Sequence, residues 1–334
     1  MTPPGTLPGT LLAVEDLALA VPVPGGGVAR PVDGVSWSLL AGETLAVVGE
    51  SGSGKSLTAQ AVMGILDPPV RVVGGAVRLR GTDLLRLPEP AMRRVRGAEI
   101  AMVFQDALSA LNPVMSVGAQ VAETFAAHGR GGGRTAWARA VRLLEQVRIP
   151  AAARRVRDYP HQFSGGMRQR VAIAMALALD PPVLIADEPT TALDVTVQAQ
   201  VMDLLDTLRR ERKLGLVLVT HDLPVVADHA DAVAVMYAGR VVESGPAASV
   251  FAHPAHPYTA ALLRTVPALT PYGQTLPAIP GTPPNPARRP PGCAFHPRCP
   301  RAEPVCSAAA PPRVAVQGAQ WAECHFAADL AHAA

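Results

Sequence analysis

Gly49-Glu50-Ser51-Gly52-Ser53-Gly54-Lys55-Ser56 matches the pattern GxxxxGK[ST] in full. It follows an apolar run, Leu45-Ala46-Val47-Val48, and precedes a helical stretch, Leu57–Leu66. That context makes it a phosphate loop. Its glycines let backbone N–H groups curl around an anion, and the helix N-terminus adds its positive dipole end. Lys55 is placed for the β and γ phosphates and the Ser56 hydroxyl for Mg²⁺. A Gly-rich turn with a solvated lysine is the bland alternative, and the order strand, loop, helix argues against it. A second element is Val183-Leu184-Ile185-Ala186-Asp187-Glu188. Two carboxylates at the end of an apolar run are costly unless chemistry uses them. Asp187 suits a Mg²⁺ ligand, direct or through water. Glu188 suits a general base that polarises an attacking water. Alone, the pair would read as an idle strand end.

The elements that must hold these groups follow from the pattern. From residue 11 to about 250, short apolar runs alternate with helical stretches, as in parallel α/β folds. Leu45–Val48, Val183–Ala186 and Leu216–Val219 read as buried strands. Between the last two lies a helix with Val197, Val201, Leu205 and Leu208 on one face. Gly129–Gly133 reads as a loop. No internal repeat is visible, so one cassette is expected. After residue 250 the texture changes: 16 of the 34 prolines lie there, which removes backbone donors and argues against long helices and central strands.

The chain has 334 residues, 49% hydrophobic, enough for a large α/β domain plus an appendage. Its net charge of +3 argues against a nucleic-acid binder driven by bulk charge. No segment reaches the roughly 18 apolar residues of a membrane span. The longest, Val171–Leu179, stops at Asp180-Pro181-Pro182. Met1-Thr2-Pro3-Pro4 has no basic region, and Glu15 and Asp16 interrupt the first apolar stretch, so no signal peptide is expected. The chain is expected in the cytosol, with any membrane role exercised through a partner. All four cysteines fall late, as Cys293-x5-Cys299-x6-Cys306-x17-Cys324. In a reducing compartment this reads as a metal site before disulfides. The spacing is not the C-x2-C of zinc ribbons or bacterial ferredoxins. His296 and His325 are adjacent spare ligands, with surface histidine as the simpler reading.

Ser164-Gly165-Gly166-Met167-Arg168-Gln169-Arg170, opening a helix over Val171–Leu179, resembles the signature of ABC ATPases. The resemblance implies that Ser164, Gly165 and Gly166 bind the γ-phosphate of a nucleotide held by the opposite subunit. Met167 stands where the commonest version has Gln. Gln105, in Val103-Phe104-Gln105-Asp106, matches the Q-loop glutamine, which contacts Mg²⁺ and water and senses the permease. Ala192-Leu193-Asp194 matches the D-loop, and His221 the switch histidine near the γ-phosphate. The aromatic residue that usually stacks on adenine is missing: Val21 occupies its slot, and Trp37 and Tyr237 do not fit it.

A narrower resemblance, to the oligopeptide/dipeptide and nickel importer ATPases, rests on four segments. They are Phe104-Gln105-Asp106, Leu111-Asn112-Pro113, His256-Pro257-Tyr258-Thr259 with Leu262-Leu263 and Val266-Pro267, and Gly292-Cys293-Ala294-Phe295-His296-Pro297-Arg298-Cys299. It implies a P-loop ABC ATPase domain over 10–250, with an antiparallel β edge, a helical subdomain and a helical insert at about 106–165. An irregular four-cysteine extension is expected over 251–334. ATP and Mg²⁺ are the implied cofactors, with Ser56, Gln105 and Asp187 around the metal. At the four cysteines the resemblance favours a 4Fe–4S cluster, with zinc or bare thiols left open. Implied partners are two permease subunits, a second ATPase subunit of the same or another chain, and an extracytoplasmic substrate-binding protein, with no nucleic acid. The place implied is the cytoplasmic face of the inner membrane. The cargo implied is peptide, with nickel or glutathione as alternatives. A soluble non-transport ABC protein and an ATP-binding iron–sulfur sensor are further rivals.

Overall fold

The computed structural model describes residues 9–106, 110–191, 193–266 and 278–332. Ala192 of the D-loop match and Pro267 of the tail match lie outside them. The chain forms two compact units, one from residues up to Leu85 and from Leu218 onward, the other from Arg86 to Val217.

The first unit opens with β1 (Thr10–Pro22), β2 (Val28–Leu40), β3 (Thr44–Val48), α1 (Lys55–Met63), β4 (Arg71–Leu79) and β5 (Thr82–Asp83). The second carries α2 (Glu89–Val95), β6 (Ile100–Val103), α3 (Val117–Ala127), α4 (Gly133–Gln146), α5 (Ala152–Arg155), α6 (Gly165–Ala176), β7 (Val183–Asp187) and α7 (Val195–Arg212). The chain returns through β8 (Gly215–Thr220) to α8 (Leu223–His229), β9 (Ala232–Tyr237), β10 (Arg240–Pro246), α9 (Ala247–Ala252) and α10 (Pro257–Arg264). It ends with α11 (Pro304–Ala308), β11 (Arg313–Ala315), β12 (Trp321–Glu323) and α12 (Ala327–His332).

In the first unit β1 pairs antiparallel with β2 and with β4, giving the expected antiparallel edge. β3 pairs parallel with β9, and β9 antiparallel with β10. Every residue of β3 is buried, as its continuous apolar run requires. The core beneath the phosphate loop gathers Val48, Val235, Tyr237, Tyr258 and Phe295. In the second unit β6 and β7 are parallel and fully buried. The helices α3, α4 and α5 lie between β6 and α6. α7 shows why the apolar spacing makes a helix. Val201, Leu205 and Leu208 are buried on one face, Asp194 caps the N-terminus through the Val197 N–H at 2.9 Å, and Arg209, Arg210 and Arg212 sit at the negative C-terminal end.

The tail is more regular than its proline content predicts. No proline falls between Arg313 and His332. There β12 pairs with β10 through Glu243 and Ser244, and β11 pairs with β12. The elements are short and peripheral, as a proline-flanked segment allows.

Candidate functional site

In the first unit the phosphate loop links β3 to α1. Gly49 and Gly54 have φ of 154° and 100°. A side chain at Gly49 would strike the Met236 carbonyl, and one at Gly54 would lie 2.8 Å from the Pro31 carbonyl. Only glycine suits both positions. Lys55 is buried, and its Nζ donates to the carbonyls of Gly49 (2.8 Å) and Glu50 (3.1 Å), so the ammonium is held across the loop. Thr58 Oγ1 donates to the Gly54 carbonyl at 2.9 Å, fastening the loop to the first turn of α1. Ser51 and Gly52 are exposed and Ser56 is half-buried. Ser53 Oγ is buried with no hydrogen-bond partner among the described residues, a group placed to serve an anion in the loop. The Glu50 side chain turns to Arg298 of the tail. His221 is exposed just after β8, ahead of Asp222, which caps α8 through the Val225 N–H at 3.4 Å.

In the second unit Asp187 ends β7 and is buried. Glu188 follows with φ of 46°, a left-handed conformation that is strained for a residue with a side chain. Such strain gathers at functional positions. Glu188 Oε2 accepts two hydrogen bonds, from Gln105 Nε2 (2.7 Å) and Thr191 Oγ1 (2.9 Å). Two of the expected residues, Gln105 and Glu188, therefore meet. Thr191 was not anticipated. Its signal lay in Glu188-Pro189-Thr190-Thr191, where a turn returns a hydroxyl to the carboxylate three residues back.

Ser164 caps α6 by accepting from the Met167 N–H at 3.4 Å, and Ser164 and Gly165 are exposed at that helix end. An exposed helix N-terminus of this kind can accept an anion. Gly166 lets α6 and α7 approach, because a Cβ there would strike Val197. Met167 Sδ lies 3.5 Å from Arg155 Nη1. Asp194 caps α7, as described above. Trp37 and Tyr237 are buried while Val21 is half-buried, so neither aromatic replaces Val21 as a stacking surface.

All four cysteines carry free thiols and line one cavity, together with the rings of His256, Phe295 and Phe326. Cys306 and Cys324 are buried, and burial pushes the Cys324 thiol up to about 11. Cys293 and Cys299 are raised by the same cause. Among the described residues no three His, Cys, Asp or Glu side chains are grouped to hold one metal ion. His296 Nδ1 pairs with the Cys293 carbonyl at 2.9 Å and His325 Nε2 with the Ala309 carbonyl at 3.1 Å, so each ring is tied to backbone. No helix among the described residues is long and apolar enough to cross a membrane.

Residues 32–191 match the ABC transporter family, and residues 242–306 match the oligopeptide/dipeptide transporter C-terminal region. The oligopeptide transport ATP-binding protein OppD of Escherichia coli (strain K12) is 51% identical over 301 residues, 90% of this chain and 89% of that protein. The dipeptide transport ATP-binding protein DppD of Bacillus subtilis (strain 168) is 48% identical over 297 residues, 89% of this chain and 88% of the relative. Among solved structures, the dimeric post-hydrolysis state of the ATP-binding cassette MJ0796, bound to ADP and Pi, has a TM-score of 0.63 at 27% identity. It covers 71% of this chain and 98% of that one.

Proposed function

Because this chain belongs to the ABC transporter ATPases of the oligopeptide/dipeptide type, we propose that it powers inward transport of di- and oligopeptides through a permease formed by other chains. It is an ATP-binding, ATP-hydrolysing subunit with the ABC ATPase cassette fold. The observation that carries the peptide reading is a likeness that runs through both the cassette and the cysteine-bearing tail. The partners that fit are two membrane permease subunits, a second ATPase subunit, and an extracytoplasmic substrate-binding protein. The chain then sits peripherally at the cytoplasmic face of the membrane. Nickel and glutathione are the competing cargoes. Deleting the chain and measuring uptake of labelled tripeptide tests this. Uptake must fall, and must return with the wild-type chain but not with Lys55→Ala. Unchanged peptide uptake beside lost nickel or glutathione uptake would transfer the cargo assignment.

Each site residue has a role in this reading. Backbone amides of the phosphate loop and the Lys55 ammonium bind the ATP phosphates, aided by the N-terminus of α1. Ser56 in the first unit and Asp187 and Gln105 in the second each offer an oxygen donor that suits a hard cation such as Mg²⁺, whose charge would offset that of the phosphates. Glu188 takes the proton of the attacking water. Gln105 and Thr191 orient its carboxylate by holding Oε2. His221 contacts the γ-phosphate. Ser164, Gly165 and Gly166 offer the end of α6 to the nucleotide of the partner ATPase, with Asp194 at the same interface. Closure of two ATPase subunits on ATP, then hydrolysis and reopening, drives the permease.

For the tail, the reading is a 4Fe–4S cluster held by Cys293, Cys299, Cys306 and Cys324, with a structural role. Its support is that all four thiols line a single cavity. Four thiolates would cross-link a segment otherwise rich in proline. Anaerobically purified protein should be brown, with about four irons per chain. Cys299→Ser should bleach it and expose the tail to protease. Colourless protein with stoichiometric zinc replaces iron in the reading, and an ordered tail with metal-free thiols removes both.

A further inference from the structure

Glu50 is the second residue of the phosphate loop, and four residues hold its polar groups. Its N–H donates to the Tyr258 hydroxyl at 2.9 Å. Its carbonyl accepts from Lys55 Nζ at 3.1 Å and from the Ser53 N–H at 3.2 Å. Its carboxylate receives both arms of one guanidinium: Arg298 Nη1 donates to Oε2 at 2.7 Å and Nη2 to Oε1 at 2.9 Å. This two-armed geometry is the strongest form of Arg–carboxylate pairing and fixes direction as well as distance.

Arg298 is not a surface side chain that happens to reach the loop. It is 6% exposed, and its Nε donates to the Pro280 carbonyl at 2.8 Å. Its guanidinium lies 5.8 Å from the Tyr237 ring and 6.0 Å from the Phe295 ring. Phe295, from the same tail turn, is buried with its ring edge-on to Tyr237 at 5.2 Å. Tyr237 in turn lies 4.6 Å from Tyr258, whose hydroxyl takes the Glu50 N–H. The tail thus inserts a wedge of Phe295 and Arg298 beneath the loop. A guanidinium buried this far is retained only with a partner, and Glu50 is its carboxylate.

We propose that Arg298 is a positioning residue for the phosphate loop: through Glu50 it holds the loop in its phosphate-binding shape, so the tail sets the chain's affinity for ATP. The inference rests on the reading of this loop as the ATP site. Glu50 links the tail to the lysine, because the Glu50 carbonyl that Lys55 touches belongs to the residue whose side chain Arg298 holds. With the clamp gone, the loop must be ordered by the nucleotide itself, and that ordering cost appears as weaker binding. Chemistry in the bound complex changes little, since Arg298 touches none of the groups assigned to hydrolysis. Arg298 also lies between Cys293 and Cys299, so whatever fixes those two cysteines fixes the clamp.

The test uses the full-length chain with Arg298→Met, Arg298→Lys, Glu50→Gln and the double change Arg298→Met/Glu50→Gln. Lys55→Ala serves as the control. Binding of a fluorescent ATP analogue and Tm are measured for each, and KM and kcat in the assembled transporter, where the ATPase subunits are paired. Arg298→Met should weaken nucleotide binding and raise KM about tenfold, with kcat at saturating ATP within about threefold of wild type. Arg298→Lys, which keeps charge without the fork, should fall between. The double change should be no worse than the poorer single one, because one clamp is removed once. KM within about twofold of wild type in a folded Arg298→Met protein, alongside lost binding in Lys55→Ala, overturns the clamp and leaves the ATP site standing. Normal binding in Lys55→Ala overturns both. If Arg298→Met does not fold, folded Arg298→Lys and Glu50→Gln decide, and wild-type affinity in both refutes the clamp.

Discussion

Glu188→Gln separates chemistry from architecture at this site. The substitution exchanges one carboxylate oxygen for an amide nitrogen and changes no volume. Two donors to Glu188, Gln105 Nε2 at 2.7 Å and Thr191 Oγ1 at 2.9 Å, converge on the same oxygen, Oε2. A glutamine that places its carbonyl oxygen there keeps both hydrogen bonds. What is lost is charge assistance to two partly exposed bonds, worth about 1 kcal/mol or less in stability. On the proposed role of Glu188 as general base, hydrolysis loses its proton acceptor, about 10²–10⁴-fold, or roughly 2.7–5.5 kcal/mol on the barrier. The catalytic effect therefore exceeds the structural one severalfold. Phosphate release at saturating ATP should fall by at least two orders of magnitude, while Tm and binding of an ATP analogue stay near wild type. The ATP-bound dimer should accumulate in size-exclusion chromatography. Turnover within about fivefold of wild type would remove Glu188 as the base.

Three other outcomes are expected. Gly166→Ala should destabilise by about 1–3 kcal/mol, because its Cβ meets Val197, and Val197→Ala in the same chain should restore most of the loss in urea unfolding. Failure of that rescue places the cost elsewhere. The isolated chain should hydrolyse ATP slowly, with specific activity rising with concentration or appearing only with a partner ATPase; full turnover in a proven monomer contradicts a shared site. Glu243 is fully buried and accepts from the N–H groups of Ala255 (2.7 Å) and His256 (3.0 Å) and from Gln320 Nε2 (2.9 Å), so Glu243→Gln sets an amide donor against other donors and should cost about 1–3 kcal/mol. Burial raises the Glu243 pKa against the pull of these donors, so the folded chain keeps its proton to higher pH than the unfolded one. The Glu243 contribution is then full below the unfolded value, near about 4.3, and is lost as pH rises through the folded value. Unfolding free energies measured across that range should show this decline in wild type and not in Glu243→Gln; equal slopes contradict it.

Local chemistry was legible in the sequence where it is written in consecutive residues. The phosphate loop, the Asp187-Glu188 strand end and the Ser164 helix start each need a short run of residue types in order. The structure builds each on the expected element. The strands β3, β7 and β8 were readable because burial on both faces demands unbroken apolar runs. Thr191 was missed because a threonine in a turn has no periodicity to announce it. Prolines weighed over the whole tail predict irregularity, whereas Arg313–His332 is free of them and holds two paired strands and a short helix. The Glu50–Arg298 pair could not be seen at all. Its members stand 248 positions apart, and an ion pair made by folding leaves no local pattern.

That invisible pair changes how the tail relates to the loop. Residues 251–334 supply Tyr258 to the Glu50 N–H, Arg298 to the Glu50 carboxylate and Gln320 to buried Glu243. Phe295 fills the core against Tyr237, at the end of the strand that pairs with β3. Cutting the chain at residue 250 would open that core, leave the Glu50 carboxylate without Arg298, and strip Glu243 of three donors. Each of these is a recognised route to large destabilisation. A truncated cassette that binds ATP poorly would therefore report the missing tail and not a weak nucleotide site. Affinity measured on the full chain is the quantity that bears on the transporter.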